Sequence, residues 1–545
     1  MKYLFLLILL CSSEFLFAQR DLEKTKAYGS ITMERISGQL EFLSSDWMEG
    51  REAGKEGGYL AGDYLASEMK VMGLSPMGDM DRFEPNRYQK LSGLEAKNFR
   101  SFYQKFDVLE ASPSDKHQLS VQKSNNGGTL SLDYEFQTDF SLGIVSESNQ
   151  LQGDVVFVGY GFENEHYSDF EGVDVAGKII VRITGYPGET NPESVAAQKM
   201  GKQGGRGLTR KKNEVAQKLG ALAVLEYDFR SDITKKWASN APFRFNEAMY
   251  EGDSRPESFY SRRLIALNAR EHTMPVVQIS KKVFQDLIRS FNQKDFKRKT
   301  DNLESVSYKM TDTKATVKTV ANTQLLKVRN IVGMIEGKNP NKYIVVGAHY
   351  DHLGKYNGHI WNGADDNGSG VVAVLSLANA FKQLNEKPDY TMIFACWDAE
   401  EKGLHGSKYF VNQFAANDST LFYLNFDMVG RDSGPDASGK DVALMYTKAS
   451  PEIEKMSKKN VKGENLKLKV NYSAWANPTS GSDNAPFAKA GVPIAWFHTG
   501  GHVDYHKPSD HVEVINWTKL QEIIRLSFLN LWDLAYDKQE ITDKE

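Results

Sequence analysis

A chain of 545 residues with 40% hydrophobic and 25% charged side chains has the composition of a folded globular protein, and its length exceeds what one hydrophobic core usually organises. The 67 Lys and Arg residues nearly balance the 71 Asp and Glu, leaving a formal charge of -4 spread along the chain. Disorder and collagen-like repeats are excluded, and without a basic footprint no nucleic acid is expected as a partner.

The one long, mostly apolar run, Tyr3 to Phe17, follows Lys2 and ends at the small Ala18 before Gln19-Arg20. It reads as a secretory signal peptide over residues 1–18, so the protein is expected to be exported, to the periplasm or outside the cell. The run is too short for a membrane span, which needs roughly 20 apolar residues, and no second one follows, so no stable membrane insertion is expected. Cys11 would leave with the signal, and the remaining Cys396 cannot form an internal disulfide. Within the apolar run Thr391 to Trp397, Cys396 reads as a small buried hydrophobe.

Apolar residues at Ala61, Tyr64, Leu65, Met69 and Met72 follow helical spacing, with Gly73 as a stop, so a core-facing helix is predicted over 57–72. From Phe106 the texture changes to short β-type runs, among them Val155 to Val158, Ile179 to Val181 and Ala223 to Leu225, with a helix over 208–219 between the last two. The basic cluster Lys202, Arg206, Arg210, Lys211 and Lys212 reads as a solvated loop and helix start, since no aromatic residues interleave with it. From Lys327 strands and helices alternate: strands at 343–346, 391–395, 422–426 and 493–497, helices over 370–384, 406–414 and 518–536. Such alternation predicts an α/β fold with a mostly parallel central sheet flanked by helices. The expected divisions are the signal at 1–18, a first part of the α/β domain at 19–105, an inserted, mainly β domain at 106–321, and a second part at 322–545.

In open α/β sheets functional groups gather beyond the carboxyl ends of strands. Here those positions hold His349 and Asp351, then Asp398, Glu400 and Glu401, then Asp427, then His506, while Asp365 and Asp366 open the first helix of this half. Eight of the 11 histidines fall between His349 and His511. A single residue of this kind is ordinarily a helix cap or a solvated loop residue, but their joint placement predicts a metal site. Imidazoles and carboxylates without thiols suit zinc foremost, with cobalt or manganese as substitutes.

Five motifs in order, Gly347-Ala348-His349-Tyr350-Asp351-His352, Gly363 to Gly370 around Asp365-Asp366, Asp398-Ala399-Glu400-Glu401-Lys402-Gly403-Leu404, Asn425-Phe426-Asp427-Met428 and Tyr505-His506-Lys507-Pro508-Ser509-Asp510, resemble those of the dinuclear zinc exopeptidases that include aminopeptidase Y, bacterial leucyl aminopeptidases and glutamate carboxypeptidase. The likeness runs from about Ile31 to Phe106 and from Asn330 to Tyr536. The stretch between resembles, more faintly, the protease-associated domain often inserted in these enzymes. The resemblance implies a hydrolase with two Zn2+ ions: Asp365 bridging them, His349 and Asp427 completing one site, Glu401 and His506 the other, Glu400 as general base, Asp351 orienting His349, and a cis peptide between Asp365 and Asp366. Ser482-Asp483 is similar to a neighbouring family motif that shapes the substrate pocket, and no catalytic role is assigned to Asp483.

The expected function is therefore that of a secreted metallopeptidase, an aminopeptidase with a peptide substrate. A carboxypeptidase on the same metal core is the first alternative, disfavoured because 471–487, where pocket groups are expected, contains no Arg. Glutaminyl cyclase, with one zinc on a related fold, and an inactive receptor-like binding protein are the others.

Overall fold

The computed structural model describes residues 19–125, 127–204, 206–229, 262–267, 274–414, 419–434, 438–537 and 541. The signal-peptide reading and Cys11 lie outside the described residues. The chain separates into two compact units, one running to Val108 and resuming at Leu326, the other built from the described residues between Leu109 and Leu325.

The first unit carries a mixed sheet of β1 (Asn322–Ile335), β2 (Asn339–His349), β3 (Tyr390–Trp397), β4 (Thr420–Phe426), β5 (Asp441–Thr447), β6 (Lys469–Trp475) and β7 (Ile494–His498), in the spatial order β1-β3-β2-β4-β7-β5-β6. Four of the six pairings along this path are parallel; β1 with β3 and β7 with β5 are antiparallel. The central strands read as continuous apolar runs because both of their faces are buried. Ile344, Val346, Met392, Phe394, Cys396, Leu424 and Phe497 pack into one core. Their neighbours Val345, Ile393, Ala395, Trp397, Tyr423 and Trp496 pack into another on the opposite face. The period of two along a strand makes this division unavoidable.

Helices cover both faces. On the first lie α1 (Met33–Leu43), α2 (Glu56–Val71), α3 (Gly370–Lys382) and α7 (Trp517–Ala535), and α5 (Glu452–Gly463) adds Ile453 and Met456 there. On the second, α4 (His405–Phe414) and α6 (Asn484–Lys489) contribute Phe410, Val411 and Phe487. Helix α3 is buried along almost its whole length, which explains its all-round apolar sequence Val371 to Leu375. Cys396 is buried in the first core, where burial pushes its thiol well up and out of the reactive range.

The second unit holds a mixed sheet whose central strands Asn149–Phe157, Ile179–Ile183, Ala223–Tyr227 and Val276–Ile279 run parallel, with Tyr308–Thr319 antiparallel beside the first. Helices Arg206–Lys218, Lys281–Leu287 and Gln293–Asp301 accompany it. One member of the basic cluster departs from the solvated reading. Lys212 is only 4% exposed and its Nζ donates to the carbonyls of Gly185 (3.0 Å) and Ile183 (3.3 Å), because the helix turns that side chain onto the strand end. Burial, reinforced by the neighbouring Arg182, lowers its pKa to about 7.

Candidate metal centre

The carboxyl ends of β3, β2, β4 and β7, neighbours in the sheet, deliver side chains to one concavity of about 270 Å3 in the first unit. His349 closes β2 and is 1% exposed. Its Nε2 lies 3.5 Å from Asp366 Oδ1, 3.6 Å from Asp427 Oδ1 and 3.9 Å from Glu400 Oε2. A second group forms around the other oxygen of Asp366. His506 Nε2 is 3.0 Å from Asp366 Oδ2 and 3.4 Å from Glu401 Oε2. Asp366 thus stands between two sets of donors, one oxygen to each.

This corrects the expectation for Asp365. Its carboxylate faces away from both sets: Oδ1 accepts the Gly430 N–H at 2.6 Å, and Oδ2 lies 3.2 Å from His502 Nε2. The reason is local. Gly363 enters the turn in the left-handed conformation, and Asp366 breaks the helical backbone (φ -102°, ψ 96°), so its carboxylate and that of Asp365 meet different partners. The backbone is pinned from a distance, since the Asp510 carboxylate accepts the N–H groups of Asp365 (3.1 Å) and Asp366 (3.0 Å). The cis peptide lies between Asp366 and Asn367, one residue beyond the bond expected to carry it.

Asp351 also differs from its expected part. The His349 ring is met by the main-chain oxygen of Asp351, 3.1 Å from Nδ1, whereas the Asp351 carboxylate stands 3.8 Å off. Instead that carboxylate accepts the N–H groups of Glu400 (2.9 Å) and Glu401 (3.3 Å), fixing the turn after β3 on which both glutamates sit. The two glutamates face different sets, Glu400 towards His349 and Glu401 towards His506.

Electrostatics separate the carboxylates further. Burial, with Asp483, Glu401 and Asp427 nearby, raises the Glu400 pKa well above the usual range against the pull of His349. Burial acts on Glu401 in the same direction, but His506 and His352 outweigh it and hold Glu401 well below. Burial alone would lower His349, yet Glu400, Asp427 and Asp366 hold it well above the ordinary histidine value.

Three residues given no role from sequence stand in or behind the site. Asp510 ends the motif that begins at Tyr505, and only the fold reveals that it grips the Asp365-Asp366 backbone. Asp483, fully buried and raised to about 7 by burial, faces the His349 side. Arg51, 1% exposed, donates to the carbonyls of Tyr350 (2.8 Å), Leu43 (2.7 Å), Asn362 (2.6 Å) and Gly363 (2.8 Å), tying the N-terminal segment to both loops that carry site residues. No local pattern marks it, because its partners are all backbone oxygens and most lie some 300 residues away.

The donors suit a divalent ion. Neighbouring ligands of one tetrahedral zinc, each about 2.0–2.1 Å from it, stand about 3.3 Å apart. The separations around His349 (3.5 and 3.6 Å) and His506 (3.0 and 3.4 Å) bracket that edge. All donors are nitrogen or oxygen.

Comparison with known proteins agrees with the motifs. Residues 330–529 match the model of peptidase family M28. Over this stretch the chain is similar to that family. The stretch contains every site residue described above except Arg51. Leupeptin-inactivating enzyme 1 of Streptomyces exfoliatus is 31% identical over 217 residues, covering 38% of this chain and 45% of that protein. A glutamate carboxypeptidase 2 homolog of Caenorhabditis elegans is 25% identical over 406 residues, covering 64% and 48%. The chain spans about half the length of the curated relatives it matches. Among solved structures, an aminopeptidase from Aneurinibacillus sp. strain AM-1 superposes with a TM-score of 0.53 at 19% identity over 96% of this chain and 98% of that one, a likeness of fold. Among the described residues no helix is long and apolar enough to cross a membrane.

Proposed function

We propose that this protein is a zinc-dependent exopeptidase, an aminopeptidase, with two ions held by His349, Asp366 and Asp427 on one side and His506, Asp366 and Glu401 on the other. The observation that carries the reading is the position of Asp366, with one oxygen turned to each donor set. Zinc bound there would polarise the scissile carbonyl and lower the pKa of a water towards neutrality. Glu400 is the general base. Its buried carboxylate, made more basic by its surroundings, accepts a proton from the attacking water and delivers it to the leaving amine. Asp351 holds the Glu400 N–H and so keeps the carboxyl facing the site rather than solvent.

The choice of peptide end follows from charge. Among the described residues, the lining includes Asp366, Glu400, Glu401 and Asp427 but neither Arg nor Lys. A free ammonium group is matched there, whereas a terminal carboxylate would meet carboxylates with no guanidinium to receive it. Met428, Trp496 and Tyr505 complete the wall and suit an apolar side chain. The apolar run at residues 3–17 supports export, and the second unit is read as a protease-associated domain that selects among longer peptides. The test is hydrolysis of matched peptides with free and acetylated amino termini, with and without chelator. Rapid, chelator-sensitive cleavage of the free form alone is expected, and equal cleavage of the acetylated peptide would overturn the choice of end.

A further inference from the structure

His352 lies three residues beyond His349, has less than 2% exposure, and has no place in the two ligand sets just proposed. Its Nδ1 is 2.9 Å from Glu401 Oε1 and 3.9 Å from Asp366 Oδ2. The oxygen it meets is not the one that faces His506: that contact is made by Oε2, at 3.4 Å. The two imidazoles therefore divide the Glu401 carboxylate between them. The residue is held from two sides. The His352 N–H donates to the Arg51 carbonyl at 3.2 Å, and its neighbour on that side, Glu52, forms a β-bridge with it. Gly363 takes a positive φ of 55° directly against the ring, where a Cβ would come within 2.5 Å of it. The ring's Nε2 is buried and has no hydrogen-bond partner among the described residues, so its engagement with the site runs through Nδ1.

We infer that His352 is a positioning residue for the second metal ion: its Nδ1–H donates to Glu401 Oε1, leaving Glu401 to present Oε2 alone, in the orientation that Asp366 and His506 share. The inference rests on the two-ion reading given above. A carboxylate with both oxygens free can swing between one-oxygen and two-oxygen contact with a cation; one with an oxygen already accepting a hydrogen bond is restricted to a single geometry. The alternative is that His352 itself binds the ion through Nδ1. Its 2.9 Å approach to Oε1 is a hydrogen-bond distance, and at 3.9 Å it is farther from Asp366 than His506 is.

Two substitutions of similar bulk separate these roles. In His352→Asn the amide nitrogen takes the place of Nδ1 and still donates, but an amide is a poor zinc ligand; His352→Leu fills the space with no donor. Both are made in the full chain, stripped of metal, and titrated with Zn2+ against a chromophoric chelator, with circular dichroism as a check on folding. Wild type is expected to take up two ions, with His352→Leu weakening one of them about 10–100-fold and leaving the other unchanged, and His352→Asn returning to within a few-fold of wild type. If both variants lose the second ion alike, His352 is a ligand and the inference falls. A wild type with two ions whose affinities His352→Leu leaves untouched overturns the inference alone. A wild type that takes up a single ion or none overturns the two-ion reading and the inference with it. Should His352→Leu not fold, His352→Asn decides between the two roles by itself.

Discussion

Substituting each of the adjacent aspartates in turn separates their roles more sharply than any other change. In Asp366→Asn the side chain keeps its shape but offers one uncharged oxygen where the carboxylate offers two, at 3.5 Å from His349 and 3.0 Å from His506. Both ions lose an anionic ligand, so each affinity should fall by more than the roughly 10–100-fold that removal of an outer hydrogen-bond partner costs. In Asp365→Asn the amide oxygen still accepts the Gly430 N–H, and what is lost is the charge beside His502. Losing the charged partner of a buried group costs on the order of 1.5–3 kcal/mol, and a domain of more than about 250 residues loses roughly 1–2 °C in Tm per kcal/mol. Asp365→Asn should therefore melt roughly 1.5–6 °C lower while holding the same metal. Metal content by mass spectrometry after dialysis against buffered zinc, with calorimetry on the same samples, reads both quantities. An Asp365→Asn protein that loses metal while Asp366→Asn retains two ions would refute the assignment of the bridge.

Glu400→Gln should keep wild-type metal content while kcat on a peptide amide falls about 10²–10⁴-fold, whereas Glu401→Gln should lose one ion; a Glu400→Gln enzyme of full activity would end the case for the base. Arg51→Met strips four buried carbonyl oxygens of their donor, and a loss on the order of 3–5 kcal/mol is expected in the calorimetric unfolding of the full chain, where a shift below 1 kcal/mol would remove Arg51 from the framework. In the second unit, burial raises Asp169 to about 7 against the hydrogen bonds it accepts from Tyr167, Phe162 and Tyr160. Its folded pKa exceeds the unfolded value of 3.8, so the folded state retains a proton that the unfolded chain releases, and stability should decline as pH rises from about 4 to 7. Asp169→Asn should flatten that decline by on the order of 2–4 kcal/mol, and an unchanged slope of Tm against pH in the variant would contradict the assignment.

The strand and helix alternation after Lys327 was legible because burial on both faces writes itself into sequence as continuous apolar runs, and because groups at the ends of neighbouring parallel strands must converge. His349, Glu400, Glu401, Asp427 and His506 follow from that rule together with the motifs. What spacing does not encode is which of two adjacent carboxylates faces inward. That choice is made by the backbone of the turn at Asp365-Asp366, and the turn is held by Asp510, 144 residues further on. Arg51 and His352 were equally unreadable in their roles, since their partners belong to segments brought together by folding. Lys212 was misread for a related reason: in a run of basic residues the one on the inner face of a helix has the same composition around it as those on the outer face.

A common device underlies these hidden dependencies. The groups that face the concavity are aimed by carboxylates and amides that grip main-chain N–H groups on other segments. Asp351, beyond β2, holds the glutamates beyond β3. Asp510 holds the turn that opens α3. The Asn367 Oδ1 accepts from Met428 N–H at 3.2 Å and Gly370 N–H at 3.1 Å, locking the residue after Asp427 to the start of α3. Each grip spends a buried anionic or polar oxygen on a donor that would otherwise be buried unsatisfied, so removing it costs the donor as well as the contact. The geometry of the donors is thereby set by the protein's own hydrogen bonds, as a preorganised site requires. Because the grips cross between strand ends, a change at one of them displaces a side chain on a different element, and the loss of function would be recorded at a residue whose own identity had not changed.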